Sequence, residues 1–267
     1  MAKPKTIWLF TGIIILLNIY VVCFKPGGHS LFPLLADIFP IVSSFIAAYC
    51  LYGAFHSLRT FDKAKFAWLM IYLGVLLFFA AECIFAYGES VLNIDMDKAF
   101  PTIADFVWMA AYIPLIIGSA TIIYWYNKSG FLSGNLRVYA WSNLPFFAVT
   151  GVLFAVILVP IAIDAQTKTL AKFTYLYYPI VDLVLLIGAG LLMYITSMFG
   201  HGRIIKSWRC LSSGFIVMTL ADLLYSYLNW SGRYELGNFI DIGWPLSYLL
   251  IAAAAAYQQE LVRSFDH

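Results

Sequence analysis

Charge is scarce in this chain, and where it is missing limits what the chain can be. Only 11% of the 267 residues are charged, and no lysine or arginine lies in the middle of any long apolar stretch. There is no basic run, so the formal charge of +2 gives no footing for nucleic acid. The four cysteines, Cys23, Cys50, Cys83 and Cys210, are scattered without a CxxC pair and read as small core hydrophobes rather than metal or redox ligands. His29, His56, His201 and His267 all fall in loops or at helix ends, which argues against a bis-histidine haem inside a bundle. No HExxH, GxSxG or phosphate loop is present, and Ser43 and Ser44 have no histidine at their depth. Zinc hydrolysis, serine hydrolysis and nucleotide phosphate chemistry are therefore set aside.

What is abundant is apolar surface. Hydrophobic residues make up 63% of the chain and the mean hydropathy is +0.85, values of a polytopic membrane protein. MAKPK leads into an apolar stretch with no small-residue cleavage site, so it reads as a first spanning helix rather than a removed signal peptide. Eight stretches are long enough to span: Thr6–Phe24, Phe32–Phe55, Phe66–Tyr87, Pro101–Tyr126, Tyr139–Ile163, Tyr175–Gly200, Arg209–Trp230 and Gly237–Leu261. The expected fold is all-α, a single membrane domain over 1–267 with short loops and antiparallel neighbours. With the N-terminus inside, the inner segments hold eleven lysines and arginines and the outer ones five, which puts both termini in the cytoplasm of a cell-membrane protein. Trp8, Trp68, Trp125, Trp141, Trp208 and Trp230 lie near span ends, where an interfacial belt would place them.

Against that background the acids stand out. Asp105, Trp108 and Tyr112 recur as Asp241, Trp244 and Tyr248, an i, i+3, i+7 set lying within about 60° on one helix face. An aspartate in hydrocarbon costs roughly 2.5–3.5 kcal/mol on insertion scales, so such a face is not expected to look at lipid. The offset between these triplets is 136 residues. The third and seventh spans match at 140, through Gly74/Gly214, Glu82/Asp222 and Tyr87/Tyr227. The second and sixth match at 145, through Asp37/Asp182 and His56/His201, and the first and fifth only through Thr11-Gly12 and Thr150-Gly151 at 139. The offset is constant within each span and changes between spans, as altered loop lengths would produce. The expectation is a duplication, residues 1–130 and 131–267, giving two parallel four-helix repeats with a pseudo-twofold axis along the membrane normal.

This topology sets all six acids in the outer half of the bilayer. Asp182 shares a face with Tyr178 and Tyr175, and Asp222 with Tyr225 and Asn229. The expected ligand-binding set is Asp37, Glu82, Asp105, Trp108, Tyr112, Tyr178, Asp182, Asp222, Tyr225, Asp241, Trp244 and Tyr248. Two readings compete. Carboxyls hydrogen-bonded to tyrosine and tryptophan could simply fasten helices together, at about 0.6 kcal/mol a bond. Alternatively, acids without a lysine or arginine to balance them line an outward pocket for a small cationic ligand, held partly by cation–π attraction. Oxygen ligands alone would also suit Ca²⁺ or Mg²⁺. Paired carboxyls leave open an intramembrane lipid hydrolase, and intramembrane acids a proton- or ion-coupled transporter.

PTIADFVWMAAYIPLIIG, YLYYPIVDLVLL and TLADLLYSYLNWSGRYELGNFIDIGWPLSYLLIAAAA carry a resemblance. From about Glu82 onward the chain resembles the eight-helix membrane region at the N-termini of many bacterial diguanylate cyclases, phosphodiesterases and histidine kinases, with archaeal relatives. The resemblance implies a prokaryotic sensory input module with a cytoplasmic output after the last helix. The chain ends at AAYQQELVRSFDH, just after the eighth span. The expectation is therefore an excised sensor region lacking its output domain, or a stand-alone relative that signals through a separate cytoplasmic partner. Ligand charge at Glu82, Asp222, Asp105 and Asp241 would shift the seventh and eighth helices and reach the cytoplasm through Gln258–Arg263.

Overall fold

A computed structural model of the chain describes residues 3–96, 98–128, 136–197 and 203–264. Eight α-helices fill these segments: α1 (Pro4–Phe24), α2 (Gly28–Ser57), α3 (Lys63–Ser90), α4 (Ile103–Lys128), α5 (Leu136–Ile163), α6 (Thr169–Ser197), α7 (Arg203–Trp230) and α8 (Gly243–Arg263). No strand occurs among the described residues. The shortest helices have 21 residues, enough at 1.5 Å per residue to cross about 30 Å of hydrocarbon. Seven of the eight, all but α5, combine that length with the necessary apolarity. Within α5 the described side chains give a shorter apolar segment, Phe154–Ile163.

Local chemistry sets the ends. The Asp62 side chain accepts from the Lys65 N–H at 2.9 Å and opens α3. Lys25 and Gly27 take left-handed backbone conformations in the tight turn from α1 to α2. The eighth span differs from the single helix expected over Gly237–Leu261. Gly237 turns the chain at φ 83°, a 3-10 turn follows over Phe239–Ile242, and only then does α8 begin. Asn238 caps that turn through its side-chain oxygen, and the Asp241 carboxylate takes the Gly237 N–H at 2.7 Å.

Six helices form a closed ring in the order α2, α3, α4, α6, α7, α8 and back to α2. The α4–α6 join is the slightest of the six. Helix α1 packs outside against α2 and α8, and α5 outside against α6 and α7. Glycines allow close approaches between helices, two of them at matched positions. A Cβ on Gly74 would lie 2.9 Å from the Ala111 carbonyl oxygen on α4, and one on Gly214 would lie 3.0 Å from the Ser247 carbonyl oxygen on α8.

The interior differs along the ring's length. Towards the starts of α3 and α7, Trp68 and Trp208 stack with centroids 5.5 Å apart, only 1% and 4% exposed. They belong to the core and not to an interfacial belt, because α3 and α7 belong to the closed ring and turn these faces toward each other. Trp8 and Trp125, at 40% and 41% exposed, keep the surface position expected of them. Trp141 lies outside the described side chains. Ser207 donates to the Ala254 carbonyl at 2.9 Å, Ser212 to the Ala189 carbonyl at 3.1 Å, and Gln259 to the Cys50 carbonyl at 2.7 Å. Each such bond fastens one helix to another for about 0.6 kcal/mol in an apolar surrounding.

Candidate functional site

At the opposite end, where α3 and α7 finish and α4 and α8 begin, the ring encloses a cavity of about 110 Å³. Its wall contains five carboxylic residues, Asp37, Glu82, Asp105, Asp222 and Asp241, and nine aromatic ones, with no lysine, arginine or histidine. Eleven of the twelve residues expected from the sequence line it; the exception is Asp182.

Helix geometry brings these side chains together. Asp105, Trp108 and Tyr112 all reach the cavity, as one face of α4 should. The 3-10 turn and α8 deliver Asp241, Trp244 and Tyr248 from the facing side. Glu82 accepts from the Tyr248 hydroxyl at 2.7 Å, with the Trp108 indole beside it. Asp222 accepts from the Trp244 indole at 2.6 Å, and the Tyr112 hydroxyl lies 2.6 Å from its other oxygen. Phe78 packs edge-on against Tyr112 at 5.4 Å and tilted against Tyr248 at 6.0 Å, so one ring separates the two tyrosines.

Asp182 sits behind Tyr112. Its carboxyl is 0% exposed and lies 3.0 Å from the Tyr112 hydroxyl, which itself has no exposed surface. A phenol carries one hydrogen and cannot donate to two carboxylates at once. With Asp222 at 2.6 Å on the same oxygen, one of the two contacts requires a proton on the carboxyl side. Asp182, Tyr112 and Asp222 thus form a short polar chain from the cavity into the core. On the same helix Tyr178 lines the cavity, whereas Tyr175 stacks on Phe100 at 4.3 Å.

Asp105 and Asp241 have a different occupation. Asp105 accepts from the N–H and hydroxyl of Thr102 at 2.6 and 2.9 Å, and from the Tyr178 hydroxyl at 3.1 Å. Asp241 accepts from Gly237 N–H and from the Tyr234 hydroxyl at 3.0 Å. Both acids stand three residues after a capping position, Thr102 or Asn238, and satisfy amides that a helix start would leave without partners. The cavity charge they were expected to contribute is largely committed to holding the beginnings of α4 and α8. The patterns Thr-x-x-Asp at 102–105 and Asn-x-x-Asp at 238–241 are the sequence signal for this.

Other wall residues had no individual signal. Phe78, Phe85 and Met218 are apolar residues in apolar helices, and Tyr234 and Leu236 come from the connection between α7 and α8. Ala36 and Pro40 add an acceptor: proline supplies no N–H, so the Ala36 carbonyl lacks its usual helical donor, and both residues line the cavity. Tyr87 and Asn229 do not line it; Tyr87 is exposed, and Asn229 donates to the Tyr225 hydroxyl at 2.9 Å. His201 lies outside the described residues, and the His56 ring packs on Tyr52 at 4.2 Å near the other end of α2.

Outside the spans, the turn between α5 and α6 is tied to the end of α7. Asp164 accepts from the Thr167 hydroxyl, from the Gln166 N–H at 2.9 Å and from the Trp230 indole at 3.0 Å. These bonds, that of Thr167 foremost, hold its carboxyl down to about 2. Among the described residues, no three or more histidine, cysteine, aspartate or glutamate side chains are arranged to hold a metal ion. Comparison with protein-family models, with curated proteins and with solved structures finds no match to this chain.

Proposed function

We propose that the chain is a multi-pass cell-membrane module that binds a small organic cation in this cavity and signals the occupancy to the cytoplasm. One observation carries the reading: five carboxylic residues and nine aromatic residues converge on one cavity whose wall has no basic side chain. Glu82 and Asp222 are met by tyrosine and tryptophan donors rather than by a basic side chain, a costly state for a buried acid unless something positive arrives, and aromatic faces favour an organic ammonium over a strongly hydrated ion. A hard metal is less well served, since the acids are spread around the wall and two of them cap helix starts.

The signalling part rests on α8. It carries Trp244 and Tyr248 at the cavity and Gln259, hydrogen-bonded to α2, at the far end. A ligand that draws Glu82 and Asp222 away from Tyr248 and Trp244 in one state of the bundle would bias the far end of that helix. A separate cytoplasmic partner or an output domain would receive the change. In this reading both termini are cytoplasmic and the acids lie in the outer half of the bilayer.

The duplication supports the same reading. Exchanging α2 with α6, α3 with α7 and α4 with α8 maps the helix ring onto itself. Glu82 and Asp222 have equivalent partners, as do Gly74 and Gly214, while Trp68 stacks on its own counterpart Trp208. Two parallel repeats, 1–130 and 131–267, about an axis between α3 and α7 account for all of these.

Thermal unfolding of the purified protein with organic amines, Ca²⁺ and Mg²⁺ tests the proposal. An amine should stabilise the wild type and leave a Glu82→Gln, Asp222→Asn variant unmoved. Stabilisation by the divalent ions alone, or equal responses of both proteins, would refute it. A lipid hydrolase or an ion-coupled transporter using the same acids would instead turn over lipid or move counter-ions in proteoliposomes, and the proposal expects neither.

A further inference from the structure

The cavity contains one arrangement twice, and this limits the shape of the cation. In the first, Glu82 on α3 accepts from the hydroxyl of Tyr248 on α8 and stands beside the indole of Trp108 on α4. In the second, Asp222 on α7 is met by the indole of Trp244 on α8 and the hydroxyl of Tyr112 on α4. Each acid takes its tryptophan from the following helix and its tyrosine from the other half of the ring. The two clusters share one wall-to-wall space.

Resting on the cation-pocket reading, we infer that the ligand is two-ended: a short aliphatic diamine with one ammonium at Glu82 and the other at Asp222. A carboxylate offers about four lone-pair positions, so one or two protein donors leave about two or more for ligand N–H groups. The remaining acids of known bonding, Asp105 and Asp241, are occupied at helix starts. With Asp37 on α2 that leaves three wall acids, of which Glu82 and Asp222 are the matched pair, and a monoamine would balance only one of that pair. Between the clusters the wall is apolar: Phe78 touches both tyrosine rings, and Met218 lines the same space. An apolar strip flanked by two carboxylates fits a methylene chain with an ammonium at each end. A divalent metal would leave the strip unused.

Calorimetric titration of the purified full chain with diaminobutane, diaminopentane and diaminohexane, each paired with its mono-N-acetyl derivative, tests this. The derivative keeps the chain and removes one charge. The best-fitting diamine should bind roughly 10- to 100-fold more tightly than its derivative, the range of one charge-assisted hydrogen-bonded contact. Glu82→Gln and Asp222→Asn, made separately, should each abolish that preference by lowering diamine affinity to the level of the derivative. Equal binding of diamine and derivative to the wild type would overturn the two-ended ligand and leave the cation pocket standing. Binding of neither would overturn the pocket reading as well. The wild-type series decides the question even where a variant does not fold.

Discussion

Helices α3 and α7 carry two matched pairs along their length, with opposite results. Near their starts, Trp68 and Trp208 close against each other and the space between the helices is filled. Some fourteen residues further along each helix stand Glu82 and Asp222, and a cavity opens beside them. Both pairs obey the same offset of 140 and so occupy matching positions on the two helices; they differ in their side chains. Two indoles gain dispersion by touching. Two carboxylates repel when charged, so each turns to donors on other helices. One end of the bundle is thus a fastening and the other a vessel, built on one pair of rods.

Substitutions should separate the two ends. The largest effect is expected at the fastening: Trp208→Ala removes the stack and its hydrogen bond to the Tyr126 hydroxyl at 3.1 Å. It should cost about 3–5 kcal/mol in equilibrium unfolding in mixed micelles. A loss under about 1 kcal/mol would mean that this end is not what holds α3 to α7. A smaller effect, about 1–3 kcal/mol, is expected from overpacking the glycine crossings midway. Gly74→Ala should exceed Gly214→Ala, because its Cβ would come within 2.5 Å of Leu115 where that of Gly214 meets Ile251 at 2.9 Å. The reverse order would break the view that the α3–α4 crossing is the tighter. The smallest effect belongs to the surface at the cavity end. The Asp164 carboxyl is held below the ordinary carboxylate range, so its contribution is full above about pH 4 and is lost as pH falls toward 2. Thermal unfolding of wild type and Asp164→Asn should therefore converge across that window. A gap that persists at pH 2 would show that the bonds to Thr167 and Trp230 do not depend on the charge.

Much of this was legible in the sequence because polar residues in apolar helices carry so much information. Asp105, Trp108 and Tyr112 were placed on one face by spacing alone, and the recurrence at Asp241, Trp244 and Tyr248 pointed to a shared interior. The exchanged hydrogen bonds were not legible: spacing says which way Tyr112 faces, not that Asp222 on α7 rather than Glu82 on α3 lies opposite. Asp182 faces inward as its spacing implied, yet Tyr112 stands between it and the cavity, a matter of depth that periodicity does not encode. Trp68 and Trp208 misled because closeness to a helix end says nothing about whether that end looks outward or inward. Phe78 and Met218 were silent, since one apolar residue in an apolar helix resembles the next.

The run Ala252–Ala256 has a mechanical consequence. Five consecutive residues go more than once around a helix, and all five have no exposed surface. Over that stretch α8 has no side turned to lipid. In a bilayer, changes of thickness or lateral pressure would press on α1 and α5, at the outside of the ring, and reach α8 only after passing through other helices. Over Ala252–Ala256, the helix that joins the cavity to the far end would feel such changes only through its neighbours, like a cable run inside its own conduit.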